Sequence, residues 1–530
     1  MICHSGVPRT GFPRPVPDPA HGVRVGLRPE APRVWSGRRV TESVAGGFRP
    51  ILLSLMRRHG GNSEARRARR WPLTALLGAT AAVLALLATL MNTLPDSGSG
   101  DAGTTRDGGR VHGTPATPRG APTPDVGWGF THTQYSADQG SSKAVARVEG
   151  LLSRAGLPQN QHIMGWGAGN PEPVKGRYDF EEMDRRIDFV RASGGTPVVT
   201  LCCAPDWMKG GTPGDANTDW SQSALETAPT PDHYKDYAAL AATVARRYPD
   251  VRHFVVWNEF KGFWNNAEGR WDYEGYTRLY NLVYKALKQV DDKIMVGGPY
   301  LVMDSVGPGE QNAAARPRGP WGAMDQRVLD AFDYWNRHKA GADFVVVDGS
   351  SYTKDDELLP DEFTATDKLT DVGAWVRKRI GDLPLWWAEY YVEPADDNDD
   401  RKGWSENHRV AVQATGMIAM VEGGASSGFY WNPEEREGPD CPGCLWTSTD
   451  SADGGRALPL YDLISRFGKE FPPGSTYRTV SVAEDDVPNV RVLATDRTVL
   501  VVNTLDRPIS ARIDGKRFAM KAYEVKWLTR

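Results

Sequence analysis

The feature that most constrains this chain is an alternation, repeated eight times between residues 126 and 467, of a short β-forming run with a stretch of helical period. The β-like runs are Val126–Phe130, His162–Trp166, Thr196–Leu201, Val251–Trp257, Ile294–Pro299, Phe344–Val347, Leu385–Ala388 and Gly428–Trp431. The helical stretches include Tyr234–Arg247, Tyr273–Val290, Gln326–His338, Asp367–Ile380 and Glu406–Glu422. Apolar runs that strictly alternate with helices predict a parallel sheet covered by helices. Eight such units predict an α/β fold, a (β/α)8 TIM barrel, over residues 125–476. A doubly wound open sheet is the competing fold, but no glycine-rich dinucleotide loop follows any of the strands. The tail changes character: Val490–Leu493, Thr498–Asn503, Ile509–Ile513 and Ala522–Trp527 read as a small antiparallel β appendage over residues 477–530. Gly210–Pro231 and Val306–Gly322 read as long loops walling the barrel mouth.

Two of the eight strands end in the same way. Strand four runs His253-Phe254-Val255-Val256-Trp257-Asn258-Glu259, and strand seven runs Leu383-Pro384-Leu385-Trp386-Trp387-Ala388-Glu389. The C-terminal ends of barrel strands are where this architecture holds its chemistry, so both carboxylates open on one face. A carboxylic acid facing a carboxylate is what cleavage of a glycosidic bond requires. One protonates the leaving oxygen, and the other attacks the anomeric carbon or activates water. Their environments must split the two pKa values. The alternative is that Glu259 and Glu389 are surface charges just past strand ends.

Further residues fall near the same face. Asn258 is placed to hydrogen-bond a sugar hydroxyl, and Trp431 to floor the first sugar subsite. Trp166, Trp207 and Trp264 are candidate stacking platforms among the 18 Trp of the chain, a number that suits a carbohydrate site. His132 and Asp206 are candidate hydroxyl ligands, with a structural His or an N-cap Asp as the plain alternative. Glu393 would replace Glu389 if the strand end lay further on, and Glu434 and Glu435 read as loop charges. No metal or organic cofactor is required.

Charge divides the chain. Residues 1–70 hold 14 Arg against 4 Asp or Glu; with a net charge of −4 overall, they carry +10 and the remainder −14. An acidic body repels phosphates, which excludes a nucleic-acid partner. Residues 1–70 read as disordered, and Met56 offers a second possible start. Arg66, Arg67, Arg69 and Arg70 precede the uncharged run Trp71–Pro95, whose centre, Leu73–Met91, is long enough to span a bilayer with the Arg cluster in the cytoplasm. A cleaved secretory signal is the competing reading, and both export the rest through a flexible tether at 96–124. Among the five Cys, Cys202 and Cys203 read as buried thiols, and Cys441 and Cys444 can close a loop disulfide in an oxidising compartment.

The stretch Tyr237-Ala238, Arg247-Tyr248, Val255-Val256-Trp257-Asn258-Glu259, Phe263-Trp264, Tyr276, Leu279-Tyr280 and Val296-Gly297-Gly298-Pro299 resembles clan A glycoside hydrolases, family 39 above all. Gly176-Arg177-Tyr178-Asp179-Phe180, Gly194-Gly195-Thr196-Pro197 and Ala204-Pro205-Asp206-Trp207-Met208 fit the same pattern. The resemblance covers about residues 126–530. It implies a retaining mechanism with Glu259 as acid/base, Glu389 as nucleophile, Asn258 on the sugar 2-hydroxyl, and Tyr352 bonded to the nucleophile. Three departures stand out: Phe260-Lys261 replaces the usual Pro-Asn, Ala388 replaces a Thr, and strand six closes on Val347-Asp348-Gly349-Ser350-Ser351-Tyr352 rather than on a His-Tyr sequence. The expectation is a membrane-tethered, extracellular hydrolase of a polysaccharide or oligosaccharide. A catalytically silent carbohydrate-binding barrel and a transglycosylase are the rivals.

Overall fold

The computed structural model describes residues 125–394, 403–431, 433–434 and 441–529. The basic segment, the apolar run and the tether lie outside these residues. Among the described residues no helix is long and apolar enough to cross a membrane.

Eight strands close a barrel: β1 (Trp128–Thr131), β2 (Pro158–His162), β3 (Thr196–Leu201), β4 (His253–Val256), β5 (Met295–Val302), β6 (Phe344–Ser350), β7 (Leu385–Tyr391) and β8 (Ser427–Trp431). They are hydrogen-bonded in sequence order, β8 returning to β1. Every pairing is parallel. The main covering helices are α1 (Ser142–Ala155), α2 (Glu181–Ala192), α3 (Tyr234–Arg247), α4 (Tyr273–Val290), α5 (Gln326–His338), α6 (Asp367–Ile380), α7 (Glu406–Glu422) and α8 (Pro459–Glu470). Five of these bounds match the predicted ones; α3 to α6 each carry an apolar stripe, whereas α7 is buried without a break from Ala411 to Val421. Asp272 and Asp325 accept backbone N–H bonds as N-caps of α4 and α5.

One strand lies elsewhere than predicted. β2 is Pro158–His162, four residues before the expected His162–Trp166. Its Pro-Gln-Asn-Gln-His sequence is polar because this part of the barrel wall is a hydrogen-bonded layer. Asn160 donates to Thr131 Oγ1 (3.1 Å) and accepts from Thr200 Oγ1 (2.9 Å), linking β1, β2 and β3. An apolar pattern cannot reveal such a strand. β5, β6 and β7 also run further than predicted, which places Glu389 inside β7 rather than just beyond it.

Side chains fill the barrel. Val198, Val255, Tyr300, Phe344, Val346, Trp386, Ala388 and Phe429 form its interior cluster. Phe344 stacks on Trp386 with centroids 4.0 Å apart. Truncating a buried aromatic of this kind to Ala costs about 3–5 kcal/mol, so the packed barrel is a rigid platform. After β5 the chain makes a three-stranded antiparallel excursion (Ser305–Val306, Ala313–Gly319, Gly322–Asp325) where a loop was expected.

The tail forms antiparallel strands β9 (Val490–Ala494), β10 (Thr498–Asn503) and β13 (Val525–Thr529), with a hairpin of β11 (Ile509–Ile513) and β12 (Lys516–Met520). Lys516–Met520 is a strand that the alternation did not reveal, because four of its five residues face outward or half-outward. The tail meets the barrel's helices through stacked rings: Tyr523 lies on His408 of α7 (4.1 Å) and beside Phe363 (5.9 Å).

Candidate active site

Glu259 is presented by a tight turn. β4 stops at Val256, and Trp257, Glu259 and Phe260 take φ values of 66°, 51° and 53°. For residues with a Cβ this left-handed region costs about 1–3 kcal/mol each, and it persists only where packing imposes it. The packing is present. Phe260 stacks on Tyr276 at 3.8 Å and meets Trp271 edge-on. Trp257 Nε1 donates to the Lys261 carbonyl at 2.9 Å, and the Tyr276 hydroxyl lies against the carbonyls of Val256 and Pro299. Glu259, buried, receives the Lys261 ammonium at 2.6 Å on Oε2. That ammonium also sits 3.7 Å from Glu226 and 4.6 Å from the centre of the Trp166 ring. Burial pulls the Lys261 pKa down, but the Glu259, Glu226 and Glu389 carboxylates outweigh it and hold the group above its usual value.

Glu389 is fully buried, and a register shift between Val347 and Asp348 sets it opposite Asp348 of β6. Its Oε1 accepts hydrogen bonds from the Tyr300 hydroxyl and, at 3.4 Å, from Asn258 Nδ2. Its Oε2 accepts from the Tyr391 hydroxyl at 2.6 Å. Burial, then the Glu259 charge, pushes the Glu389 carboxyl up to about 7, while Lys261 and the two tyrosines pull the other way. Burial likewise keeps the Tyr300 and Tyr391 phenols protonated, so both remain donors.

One oxygen from each of Glu259, Asp348 and Glu389 lies within 4.8 Å of the other two. Three carboxylates are a donor set that a hard cation accepts. Here the Lys261 ammonium already supplies a positive charge against one of them.

The other predicted residues divide into two groups. Asn258 and Trp431 are on the mouth side. Asn258 touches Glu389, and Trp431 at the end of β8 meets His162 edge-on at 5.6 Å. Trp166 joins them, edge-on to the same His162 at 5.8 Å and buried under Lys261.

The remaining residues make contacts elsewhere among the described residues. His132 has Ser136 and Gln159 on its two ring nitrogens and packs edge-on to Phe189 of α2, so it faces the helix layer. Burial lowers its pKa to about 4. Asp206 accepts from the Asp219 N–H (2.7 Å) and pairs with Lys209 (3.0 Å), which ties down the loop after β3. Trp207 donates to the Glu172 carbonyl, and Trp264 packs on Trp271 within a short hairpin. The Tyr352 backbone carbonyl accepts from Lys368, and Glu389 accepts from the hydroxyls of Tyr300 and Tyr391. Glu393 is held by Arg409 in a buried two-pronged pair, away from the carboxylate cluster. Glu434 is a buried anchor for Trp446 and Thr449 rather than a loop charge, and Glu435 lies outside the described residues. Cys441 and Cys444 form a disulfide, and Cys202 and Cys203 are buried free thiols.

Sequence reasoning missed Tyr300, Tyr391, His162 and Asp348. Tyr391 follows Glu389 at a two-residue spacing along β7, a signal available in the sequence. Tyr300 follows the Gly298-Pro299 pair at the end of β5, and only the closed barrel brings it to Glu389. Among the described residues His162 has no hydrogen-bond partner on either ring nitrogen, and burial lowers its pKa to about 3, so it is neutral at the mouth.

A closed parallel barrel with Asn-Glu after β4 and Glu on β7 is the arrangement that the resemblance to clan A glycoside hydrolases implied. Residues 168–398 match the model of glycosyl hydrolases family 39. Over 139 residues it is 31% identical to a β-xylosidase of Caldicellulosiruptor saccharolyticus, an alignment that spans 24% of this chain and 26% of that relative. Among solved structures, it is similar to a monomeric β-xylosidase from Caulobacter crescentus CB15 (TM-score 0.47, 17% identity, 72% of this chain and 73% of that one). It is also similar to a family 39 glycoside hydrolase from the gut symbiont Bacteroides cellulosilyticus WH2 (TM-score 0.48, 14% identity, 76% and 81%).

Proposed function

We propose that this protein is a retaining glycoside hydrolase acting on an extracellular polysaccharide or oligosaccharide by double displacement. The observation that carries this reading is the approach of Glu259 and Glu389 oxygens to within 4.8 Å, at the mouth of one barrel. Retaining enzymes keep their carboxyls about 5–5.5 Å apart, whereas inverting ones leave about 6.5–9.5 Å for a water. Glu259 protonates the leaving oxygen while Glu389 bonds to the anomeric carbon. Water, deprotonated by Glu259, then releases the sugar with its configuration restored. Asn258, bonded to Glu389, is placed to hold the neighbouring hydroxyl, and Trp431 and His162 to line the first subsite.

The test is a panel of aryl glycosides beginning with β-xylosides, since one matched relative is named a β-xylosidase. Cleavage with first-formed product of unchanged anomeric configuration, read by NMR, is the expected result. Glu389→Gln should abolish it. A wild type inactive on the whole panel, yet binding oligosaccharides, would point to the silent barrel instead; transfer to added alcohols in preference to water would point to a transglycosylase.

The proposed site of action is outside the membrane. The Arg66–Arg70 cluster and the apolar run Leu73–Met91 support export, as does the Cys441–Cys444 disulfide, a bond that oxidising compartments favour. Protease access to the barrel in intact cells tests this: a barrel protected until lysis would refute it.

A further inference from the structure

Lys261 raises a difficulty for a residue that must deliver a proton. It takes one oxygen of Glu259 with an ammonium at 2.6 Å, in a site that already contains the Glu389 and Asp348 carboxyls. Resting on the hydrolase reading above, we infer that Asp348 shares one proton with Glu259 and feeds it, through Glu259, to the leaving group. Asp348 is thus a positioning residue for the reacting proton.

Asp348 sits on β6 with 1% of its surface exposed, and among the described residues neither carboxyl oxygen has a hydrogen-bond donor. A buried carboxylate anion with no donor is costly, whereas a protonated carboxyl beside an anionic neighbour has an acceptor for its own hydrogen. The groups facing it are Glu259 and Lys261 from the turn after β4, Tyr300 from β5, Glu389 and Tyr391 from β7, and Lys368 from α6. Burial, followed by the Glu259 and Glu389 charges, pushes its carboxyl well above the usual range. Two carboxyls this close do not both ionise readily, which is the condition for a shared proton.

The charges balance through the cycle. At rest the Asp348–Glu259 pair holds one proton and carries one negative charge, Glu389 carries another, and Lys261 offsets one. In the first step the pair's proton goes to the glycosidic oxygen, the carbon–oxygen bond breaks, and Glu389 forms an ester with the anomeric carbon. The pair then carries two negative charges and Glu389 none, so the net charge is unchanged. In the second step water gives its proton to the pair and its hydroxyl to the anomeric carbon, and Glu389 leaves as carboxylate. Lys261 stabilises the doubly charged pair midway, which gives its place beside the acid a purpose.

The experiment compares Asp348→Asn with wild type on methyl β-xyloside, which needs protonation to depart, and dinitrophenyl β-xyloside, which does not. The expected result is a loss of about 10²–10⁴ in kcat/KM on the methyl glycoside with a change below about threefold on the dinitrophenyl one. The basic limb of the methyl-glycoside profile should also move to lower pH, because removing one carboxyl of the buried pair weakens the site's hold on the shared proton. A merely structural Asp348 would depress both substrates alike and leave the limb in place, which overturns the inference. Should Asp348→Asn fail to fold, Lys261→Met reads the same proton from the other side: its basic limb should move to higher pH, and an unmoved limb overturns it. Wild type inactive on both xylosides and on every other glycoside of the panel is a different failure: it removes the hydrolase reading and this one with it.

Discussion

The Tyr300 hydroxyl on β5 donates a hydrogen bond to Oε1 of Glu389 on β7, reaching past β6 across the barrel interior. It joins Asn258 on that oxygen, while Tyr391 occupies the other. Glu389 is therefore oriented by donors carried on or just after three strands. Hydrogen bonds to a charged group are worth about 1.5–3 kcal/mol.

Tyr300→Phe removes one of these donors without opening space. A fall of about 10–100-fold in kcat/KM is expected. The acid limb of the pH profile, which Glu389 places at about 7, should shift to higher pH, because the lost bond favoured the ionised form. Steady-state kinetics across pH measures both, and a limb that stays put would show that Tyr300 does not act on Glu389.

Stability should run against activity with pH. The folded-state pKa of Glu389 is raised from 4.5 to about 7, so the folded state holds its proton more tightly than the unfolded chain does. The contribution is fully present below pH 4.5 and is lost as pH rises through 7. Glu389→Gln, which cannot ionise, should therefore melt higher than wild type at pH 8 by a few degrees, with the gap closing at pH about 4.5. Calorimetry at the two pH values checks this; an equal gap at both would contradict it.

Glu393 lies four residues beyond Glu389 yet should behave as a structural residue. Its carboxylate is held by Arg409 through two hydrogen bonds, and both side chains are buried. Breaking a buried pair from one side costs about 3–5 kcal/mol. Glu393→Gln should lower the melting temperature markedly and leave the activity of the folded fraction within about threefold of wild type. Complete loss of turnover in a well-folded variant would reopen its claim to be the nucleophile.

His162 offers a test of the first subsite. Among the described residues its ring nitrogens are unpartnered, and its ring meets both Trp166 and Trp431 edge-on. His162→Phe keeps the ring and removes the nitrogens. KM should rise about tenfold with the fold intact, a loss of about 1.4 kcal/mol, as expected for one hydrogen bond to a sugar hydroxyl. Unchanged KM would place the sugar elsewhere.

The barrel was legible because seven of its strands carry the apolar pattern of a doubly covered sheet. β2 was misplaced since its inward residues, Asn160 and His162, are polar. Glu259 and Glu389 were legible as polar breaks at the ends of apolar runs. Their supporting residues were harder to find. Tyr300 and Asp348 sit 89 and 41 positions from Glu389 and reach it only through barrel closure. His132, Asp206 and Tyr352 were singled out by nearness to a strand end, which says nothing about which way a side chain points. His132 packs against the helix layer, and Asp206 ties down its own loop.

The left-handed turn at Trp257, Glu259 and Phe260 has a consequence for how such a protein can fail. The backbone there is bent against its own preference and kept so by Tyr276, Trp271 and Phe263, none of which needs to meet a sugar. A conservative exchange in that aromatic clamp can leave the barrel closed and the chain abundant while the turn relaxes and Glu259 swings aside. Inactivating variants should therefore collect behind the reaction centre as well as within it.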